Sequence, residues 1–235
     1  MSETAVESHR ERIVREAARL LADGGRDAVS TRAVAAAAGV QAPTLYRLFG
    51  DKQGLLDAVA AHGFETYLRT KADRPPAADP VDDLRAGWDL HVGLGLADPA
   101  LYCLMYADPR PGAAPPAARA AYDVLAAKIH RIAEAGRLRV PELRAARLVH
   151  AAGSGVTLTL IGLPEDDRDP DLSTAAREAV IAALTTDAPP GPAGPPGAAA
   201  AAVTLRAALP HAEGLTAPER TLLQEWLDRI AASNP

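Results

Sequence analysis

The sequence predicts an all-α protein, and three features of the chain support this fold class. Alanine and leucine dominate the apolar residues, whereas aromatic residues make up only 4% of the 235 residues, and the β-branched alternation typical of strands is rare. Apolar residues recur at spacings of three and four, as at Ile13, Ala17 and Leu20, which places them on one face of a helix. Clusters of glycine and proline separate such segments.

Composition excludes several classes of protein. The single cysteine, Cys103, cannot form an intramolecular disulfide or a cysteine-rich zinc site. The six histidines lack the spacing of a metal site, so we expect no metal and no other cofactor. The first ten residues have no apolar core of a secretory signal, and the longest mostly apolar stretch, 148–163, is shorter than the ~20 residues of a membrane span. These observations predict a cytoplasmic protein with no membrane contact.

Four helices are predicted before residue 72, and each has a start or a stop signal. Gly24 and Gly25 end the first helix, because glycine takes the left-handed conformation that closes a helix. Ser30 offers a side-chain cap to the second helix, and Gly39 and Gly50 end the second and the third. The predicted ranges are 4–22, 31–38, a short helix that opens at 41–44 and ends near 48, and 52–71.

Six further helices are predicted, at 81–96, 99–107, 117–136, 142–163, 172–185 and 218–232. The segment Val156–Ile161 could form a short strand, but it continues the helical run from Glu142 without a turn. Five prolines and three glycines in 188–198 indicate a linker without a core.

The segment 30–52 predicts a helix-turn-helix, because two short helices meet at a tight turn at Gly39. Its apolar residues lock the two helices together: Val34, Ala38, Val40, Leu45 and Phe49. In a helix-turn-helix the second helix enters the major groove of DNA.

The polar residues of this segment suit DNA. Ser30 and Thr31 lie at a helix N-terminus, which binds phosphate, and Arg32 can reach a phosphate or a guanine edge. The Pro43 ring and the Thr44 methyl can contact a thymine methyl. The predicted DNA-binding residues are Ser30, Thr31, Arg32, Gln41, Ala42, Pro43, Thr44, Tyr46, Arg47 and Lys52.

Over residues 10–62 the chain resembles the N-terminal DNA-binding domain of TetR-family transcriptional regulators. The resemblance rests on a capping hydroxyl at Ser30, Gly-Val at 39–40, Thr-Leu-Tyr at 44–46, Phe49, and Asp-Lys at 51–52 before a Leu-Leu helix. It implies DNA contacts for Thr31, Arg32, Thr44, Tyr46 and Lys52, chiefly with phosphate for Thr31, Tyr46 and Lys52. Arg32, Gln41, Ala42 and Pro43 occupy positions that face base edges in such proteins. Gln41 stands where a Ser or Thr cap is frequent.

The resemblance also implies a domain organisation. It places a helix-turn-helix DNA-binding domain at 1–50 and a helical ligand-binding and dimerisation domain at 51–187. A Pro/Gly-rich linker at 188–198 and a C-terminal helical tail at 199–235 follow. The expected fold is therefore all-α, with an N-terminal helix-turn-helix DNA-binding domain and a C-terminal helical-bundle ligand-binding and dimerisation domain.

A homodimer is expected through the helices at 142–163 and 172–185, whose apolar residues can form a four-helix interface. Those residues are Leu143, Ala146, Val149, Ala152 and Val156 on one helix, and Ala176, Val180, Ala183 and Leu184 on the other. Residues 1–71 hold ten Lys/Arg and nine Asp/Glu. This near-neutral segment should bind DNA weakly as a single copy, so two subunits are needed for affinity.

Large or polar-tipped residues of the central helices are candidates for a ligand pocket, because such pockets are apolar with a few polar groups. They are Trp88, His91, Tyr102, Met105, Tyr106 and Tyr122. Simple core packing is an equally good interpretation for any one of them.

We therefore expect a transcriptional regulator, by resemblance a repressor, that binds a palindromic operator in double-stranded DNA and is released by an unidentified small apolar effector. An activator would carry the same motif. An enzyme is a competing interpretation, but no nucleophile–base pair or cofactor loop is found. A third interpretation is an interaction module in which the Trp226 helix of the tail docks on a partner or packs on its own chain.

Overall fold

The structure is a computed structural model that describes residues 3–72, 75–107, 116–186, 198–212 and 214–232. Within these residues it contains α-helices, two short 3-10 turns at Glu165–Asp167 and Leu209–His211, and no strand. The α-helices are α1 (Glu3–Ala28), α2 (Thr31–Ala37), α3 (Ala42–Phe49), α4 (Lys52–Ala72), α5 (Pro80–Ala97), α6 (Pro99–Tyr106), α7 (Pro116–Glu134), α8 (Glu142–Gly162), α9 (Leu172–Leu184), α10 (Ala198–Ala208) and α11 (Ala217–Ala232). The predicted all-α class is confirmed.

Two details differ from the sequence-based expectation. The first helix runs to Ala28 rather than ending at 22, but it leaves helical geometry at Gly24 and Gly25, where Gly25 has φ 68°. The two glycines therefore mark a kink, after which a further turn of helix forms. The helix α10 was not predicted as a separate element.

The segment that could have been a strand, Val156–Ile161, lies within α8. A single isolated β-bridge among the described residues joins Leu138 and Thr185. It ties the segment before α8 to the end of α9.

The chain divides into two compact units, and each is described by itself. Unit 1 comprises residues up to 74 together with 93–121, and unit 2 comprises 75–92 and the residues from 122 onward. The domain boundaries expected from the resemblance, at 50, 187 and 198, stay predictions. The expected linker at 188–198 lies outside the described residues except for Ala198, which begins α10.

The core of unit 1 forms around α1. Ile13 and Ala17 of the predicted stripe are fully buried and Leu20 is half-buried. Leu21, four residues after Ala17, is 1% exposed and completes the buried side of the helix. Leu45 of α3 and Leu55 of α4 join the same core. The short helices α2 and α3 are therefore held by packing on longer helices, because helices of this length are marginal in isolation.

Unit 2 is held by charged as well as apolar contacts. Asp83 of α5 is 6% exposed, and its Oδ2 lies 2.7 Å from Lys128 Nζ and 2.9 Å from Arg131 Nη1. Arg131 also donates to the carbonyl oxygen of Ala77 at 3.0 Å. A buried carboxylate is tolerated because two cations and their hydrogen bonds compensate for its lost hydration.

A second set of ion pairs joins α5 to α9. Arg85 donates from Nε and Nη2 to the Glu178 carboxylate at 2.9–3.1 Å, and Arg177 donates to the same carboxylate at 2.8 Å. The hydrogen bonds from Arg85, followed by those from Arg177, lower the pKa of Glu178. Charged hydrogen bonds of this kind favour the ionised carboxylate.

We expect this lowered pKa to appear in the acid stability of the protein. Because the folded-state pKa of Glu178 lies below its ordinary 4.5, its stabilising contribution is full above about pH 4.5 and is lost as pH falls through the folded-state pKa. Chemical denaturation from pH 7 to pH 3 should show a shallower loss of stability in Glu178→Gln than in the parent. Equal slopes in the two proteins would contradict this assignment.

The C-terminal helices α10 and α11 pack on each other as a hairpin. Val203 and Ala207 of α10 and Leu227 of α11 are at most 5% exposed. Arg206 of α10 donates from Nε to Asp228 of α11 at 3.1 Å. The N-terminus of α11 is capped by Glu219, which accepts from the Thr216 amide at 2.8 Å.

Candidate nucleic-acid interface

The helix-turn-helix of α2 and α3 forms for local reasons. The Ser30 side chain caps α2 by accepting from the Ala33 amide at 3.1 Å, as the sequence predicts. Gly39 takes φ 63°, a left-handed conformation that favours glycine. Gln41 occupies the cap of α3 without a side-chain hydrogen bond, and Pro43 fits the first turn, where no backbone donor is needed.

The junction between α3 and α4 depends on two glycines. Gly50 takes φ 77° and ends α3. Gly54, in the first turn of α4, donates its amide to Asp51 Oδ1 at 2.8 Å. Its backbone comes so close to α3 that an ideal Cβ would lie 2.0 Å from the Phe49 carbonyl oxygen. Only glycine allows α4 to pass the end of α3 at this distance.

Burial separates α3 into an inner and an outer face. Leu45 is 2% exposed and Tyr46 is 52% exposed. Of the residues predicted to bind DNA, Thr31 and Thr44 are half-buried. The others are exposed: Ser30, Arg32, Gln41, Ala42, Pro43, Tyr46, Arg47 and Lys52. All belong to unit 1, and their roles toward DNA stay predictions.

Three basic side chains position this motif through contacts that the sequence did not predict. Arg12 of α1 donates from Nε to the carbonyl oxygen of Ala38 at 3.0 Å, where α2 ends. The Arg10 guanidinium lies 5.4 Å from the centre of the Phe49 ring. Lys52 donates to the carbonyl oxygen of Arg26 at 3.3 Å. These contacts join residues far apart in sequence. For Arg10 and Arg12, the basic character of α1 was the sequence feature that could have indicated them.

Three of the residues predicted to contact a ligand lie in unit 1, in an aromatic cluster. The Tyr102 and Tyr106 rings are stacked with centroids 4.6 Å apart, and the Phe64 ring meets Tyr106 edge-on at 5.3 Å. Met105 contacts Gly63, since a Cβ there would lie 3.0 Å from its sulfur. Burial, and then the neighbouring Tyr102, raises the pKa of Tyr106, so its hydroxyl stays neutral over the physiological range.

The other three, Trp88, His91 and Tyr122, lie in unit 2. Trp88 is 5% exposed and donates from Nε1 to Ser173 Oγ at 3.1 Å. Trp88 and His91 approach α8 at Gly153, where a Cβ would lie in ordinary van der Waals contact, 3.6 Å from each ring. The six residues are thus divided between two units, and ligand contact by either group stays a prediction.

Tyr122 presents an unusual polar group. Its ring meets His150 of α8 edge-on at 5.8 Å. Its hydroxyl and the Ser154 Oγ, one turn along α8, are buried and have no hydrogen-bond partner among the described residues. Buried hydroxyls normally find a partner, so these two atoms suit a polar group of a bound molecule.

Burial revises the predicted dimer face. Ala146 and Val149 of α8 and Leu184 of α9 are at most 6% exposed, because they pack inside unit 2. They therefore cannot form an outward interface. Leu143, which was also predicted there, is 56% exposed. The outward side of α8 carries Leu148 and small residues at Ala151 and Gly155 instead.

Three further observations concern metal ligands, membrane helices and the cysteine thiol. No cluster of potential metal ligands occurs in the described part of the chain. Across those same residues, no helix has both the length and the apolar character needed to cross a bilayer. Burial raises the pKa of the Cys103 thiol, which makes it less reactive as a nucleophile.

Comparison with known proteins identifies the family of the motif. Residues 13–59 match the family model described as bacterial regulatory proteins, tetR family. The HTH-type transcriptional repressor KstR of Rhodococcus jostii (strain RHA1) is 35% identical over 85 residues. That match covers 36% of this chain and 40% of KstR, so it spans well under half of the relative's length.

Solved structures extend the similarity along most of the chain. A protein of unknown function from Rhodococcus sp. RHA1 superposes with a TM-score of 0.60 and 27% identity, covering 76% of this chain and 96% of that one. A TetR variant from Acinetobacter baumannii AYE, in complex with minocycline, superposes with a TM-score of 0.56 and 20% identity, covering 78% of this chain and 96% of that one. At 20% identity, the similarity to the A. baumannii protein shows a shared fold. The motif matched over residues 13–59, the helix-turn-helix and this fold together support a TetR-family regulator.

Proposed function

We propose that this protein is a transcriptional repressor that binds a palindromic operator as a homodimer and is released by a small apolar ligand. The observation that carries the proposal is that α3 is buried on one side and exposed on the other. Leu45 anchors the helix in the core, while Gln41, Tyr46 and Arg47 are exposed on its outer side. A helix held this way can enter a major groove and offer these side chains to base edges and phosphates.

Two helix N-termini beside α3 supply phosphate contacts in this proposal. The N-terminus of α2 offers the amides and hydroxyls of Ser30 and Thr31, and Arg32 is exposed in the same turn. Lys52 begins α4 on the other side of α3. Helix N-termini attract anions through their free amides and the helix dipole. Contacts on both sides of α3 would fix its register in the groove.

Repression and a homodimer are supported by the relative and by charge. KstR is named a transcriptional repressor. Residues 1–71 carry almost balanced charge, so one subunit gains little from non-specific attraction to DNA. Two subunits with recognition helices ~34–36 Å apart, or a multiple of one helical turn, would read two half-sites. We assign the dimer contact to α8 and α9, through the outward side of α8 near Ala151 and Gly155.

A small-molecule effector is supported by the orphaned hydroxyls of Tyr122 and Ser154 and by the minocycline complex of the A. baumannii protein. The effector would shift the population toward a subunit arrangement that no longer fits the operator. Within unit 2 the proposed contacts are Trp88, His91 and Tyr122. Tyr102, Met105 and Tyr106 are candidate contacts within unit 1. The proposal assigns no catalytic role and no cofactor to the chain, and it is tested by screening apolar compounds for release of bound DNA.

Selection of bound fragments from the genome that encodes the chain tests DNA recognition directly. The proposal expects enrichment of a palindromic site with two half-sites one or more helical turns apart. Enrichment of no site would reject specific DNA binding by this fold. An enriched site without two-fold symmetry would reject the homodimeric arrangement and leave the motif as a DNA-binding element.

Substitutions on the motif should weaken binding to the selected site. Arg32→Ala removes an exposed guanidinium that would reach a base edge or a phosphate, and Tyr46→Ala removes the exposed phenol of α3. Each should raise the Kd, measured by fluorescence anisotropy, roughly five- to 150-fold, the range expected for loss of one good contact of ~1–3 kcal/mol.

Arg139→Ala is the matched control, because Arg139 is an exposed arginine of unit 2. It removes the same charge far along the chain from the motif and should leave the Kd within about two-fold of the parent value. If Arg32→Ala and Arg139→Ala weaken binding equally, the effect is one of net charge and α3 is not the recognition element.

A further inference from the structure

We propose that α11 is a self-association surface, which pairs antiparallel with α11 of a second copy of this chain about Trp226. The proposal concerns the C-terminal hairpin and does not rest on DNA binding or on an effector. It begins from the exposure of large apolar side chains in the described residues. Leu222, Trp226 and Ile230 are 45%, 48% and 41% exposed.

These three residues form one stripe on the helix. They are four residues apart, which is close to one helical turn, so they lie on one side of α11. A different side of α11, with Leu227 and Ala231 at 5% and 6% exposure, packs within unit 2. The helix therefore has two apolar sides. A helix apolar on two sides normally has neighbours on both, and exposed apolar clusters of this kind mark interaction sites.

The charges beside the stripe fit a second copy of the same helix. In an antiparallel pair with two-fold symmetry about Trp226, Leu222 of one chain lies opposite Ile230 of the other, because both are four residues from the centre. Glu225 then lies within two residues, or ~3 Å along the axis, of Arg229 of the second chain. The symmetry repeats this contact, so each pair of helices gains two opposite-charge contacts at the rim of an apolar centre.

Glu225 and Arg229 are available for these contacts. No ion pair joins either side chain to another in the described part of the chain, and both residues are exposed. The Arg229 side chain donates one long hydrogen bond, from Nε to the Glu225 backbone carbonyl oxygen at 3.4 Å. The neighbouring charge Asp228, by contrast, is already paired with Arg206 inside the hairpin.

The size of the α11 surface determines how strongly two chains are expected to associate through it. Stable protein interfaces bury ~1,200 Å² or more in total, whereas α11 is a 16-residue helix about 24 Å long. A single pair of such helices is a small interface. We therefore expect concentration-dependent association in the micromolar range, which adds to any dimer formed through α8 and α9.

Site-specific crosslinking in the full chain tests the proposed register. In a Cys103→Ala background, a mixture of Leu222→Cys and Ile230→Cys chains should form a 222–230 disulfide between chains under mild oxidation, and Trp226→Cys should crosslink to itself. Thr221→Cys is the matched control, because Thr221 is exposed on α11 but lies away from the stripe, and it should not crosslink. Absence of the 222–230 crosslink, or equal crosslinking of Thr221→Cys, would overturn the proposal.

Charge exchange tests the proposed partner independently of cysteine chemistry. Sedimentation velocity should show that Glu225→Arg alone and Arg229→Glu alone each weaken the concentration-dependent association at least several-fold. The double variant restores opposite charges across the pair and should recover most of it. Trp226→Glu should weaken association roughly 30-fold or more, as expected for a central anchor worth about 2 kcal/mol.

The outcomes separate this proposal from the proposed function. Association that is the same in the parent, Trp226→Glu and both single charge variants would overturn α11 pairing, and the stripe would then have to meet a partner of different sequence. Circular dichroism of each variant checks that α11 remains folded. Operator binding by single dimers, measured at concentrations below the association midpoint, should not change with Trp226→Glu whichever result is obtained.

Discussion

Replacing Gly54 by alanine should destabilise unit 1 and abolish operator binding at the temperature where the parent is fully active. The added Cβ would lie 2.0 Å from the Phe49 carbonyl oxygen, which belongs to the backbone and cannot move as a flexible side chain would. Either α3 or α4 must shift. We expect a loss of stability at or above the ~1–3 kcal/mol typical of overpacking.

Gly93→Ala is the matched control for this substitution. Gly93 is also a helical glycine, but a Cβ there would meet nothing within 4 Å. It should be neutral or stabilise the protein by up to about 1 kcal/mol, because alanine is the better helix former. Thermal unfolding of the three proteins measures the effect. If Gly54→Ala unfolds at the same temperature as the parent, the close approach of α3 and α4 is not as described.

Replacing Asp83 by alanine should destabilise unit 2 by ~3–5 kcal/mol, the range for breaking a buried ion pair. The Asp83 side chain is 8% exposed and faces two cations, Lys128 and Arg131, at 2.7 and 2.9 Å. Without the carboxylate, both cations keep the cost of partial burial and lose the acceptor that they share, and Arg131 keeps its bond to the Ala77 carbonyl oxygen. The contact between α5 and α7 would then lose its polar centre.

Asp82→Ala is the matched control for Asp83. The Asp82 side chain is 60% exposed and pairs with Arg85 at 2.8 Å within the same helix. Exposed pairs of this kind contribute at most about 1 kcal/mol. Urea denaturation should therefore give a large loss for Asp83→Ala and a small one for Asp82→Ala. Equal losses would show that charge near the α5 N-terminus matters, and that the buried cluster does not.

Local signals made most of the helices predictable. The Ser30 cap and the left-handed turn at Gly39 depend on residues within four positions of each other, and both appear as expected. The prediction that the first helix ends before Gly24 was wrong. Two glycines indicate a break in a helix, but they do not show whether the helix continues after it. The alanine-rich α10 carries no cap or period that would separate it from a polar tail.

The candidate interface was predictable only in its outward residues. Arg12 and Lys52 bind backbone carbonyls 26 residues away, and no local sequence pattern predicts such contacts. The predicted dimer face shows the same limit. Ala146 and Leu148 are both small or apolar residues of one helix, but only packing decides that the first is buried and the second is 47% exposed.

The salt dependence of operator binding tests whether the protein recognises DNA through α3 and the helix N-termini beside it. We expect log K to fall linearly with log salt. Lys52→Gln should make the slope shallower by about one unit for each subunit, because one phosphate contact is lost. Arg139→Gln should leave the slope unchanged. Binding with no salt dependence, or a slope that Lys52→Gln and Arg139→Gln alter equally, would contradict DNA recognition through α3 and the helix N-termini beside it.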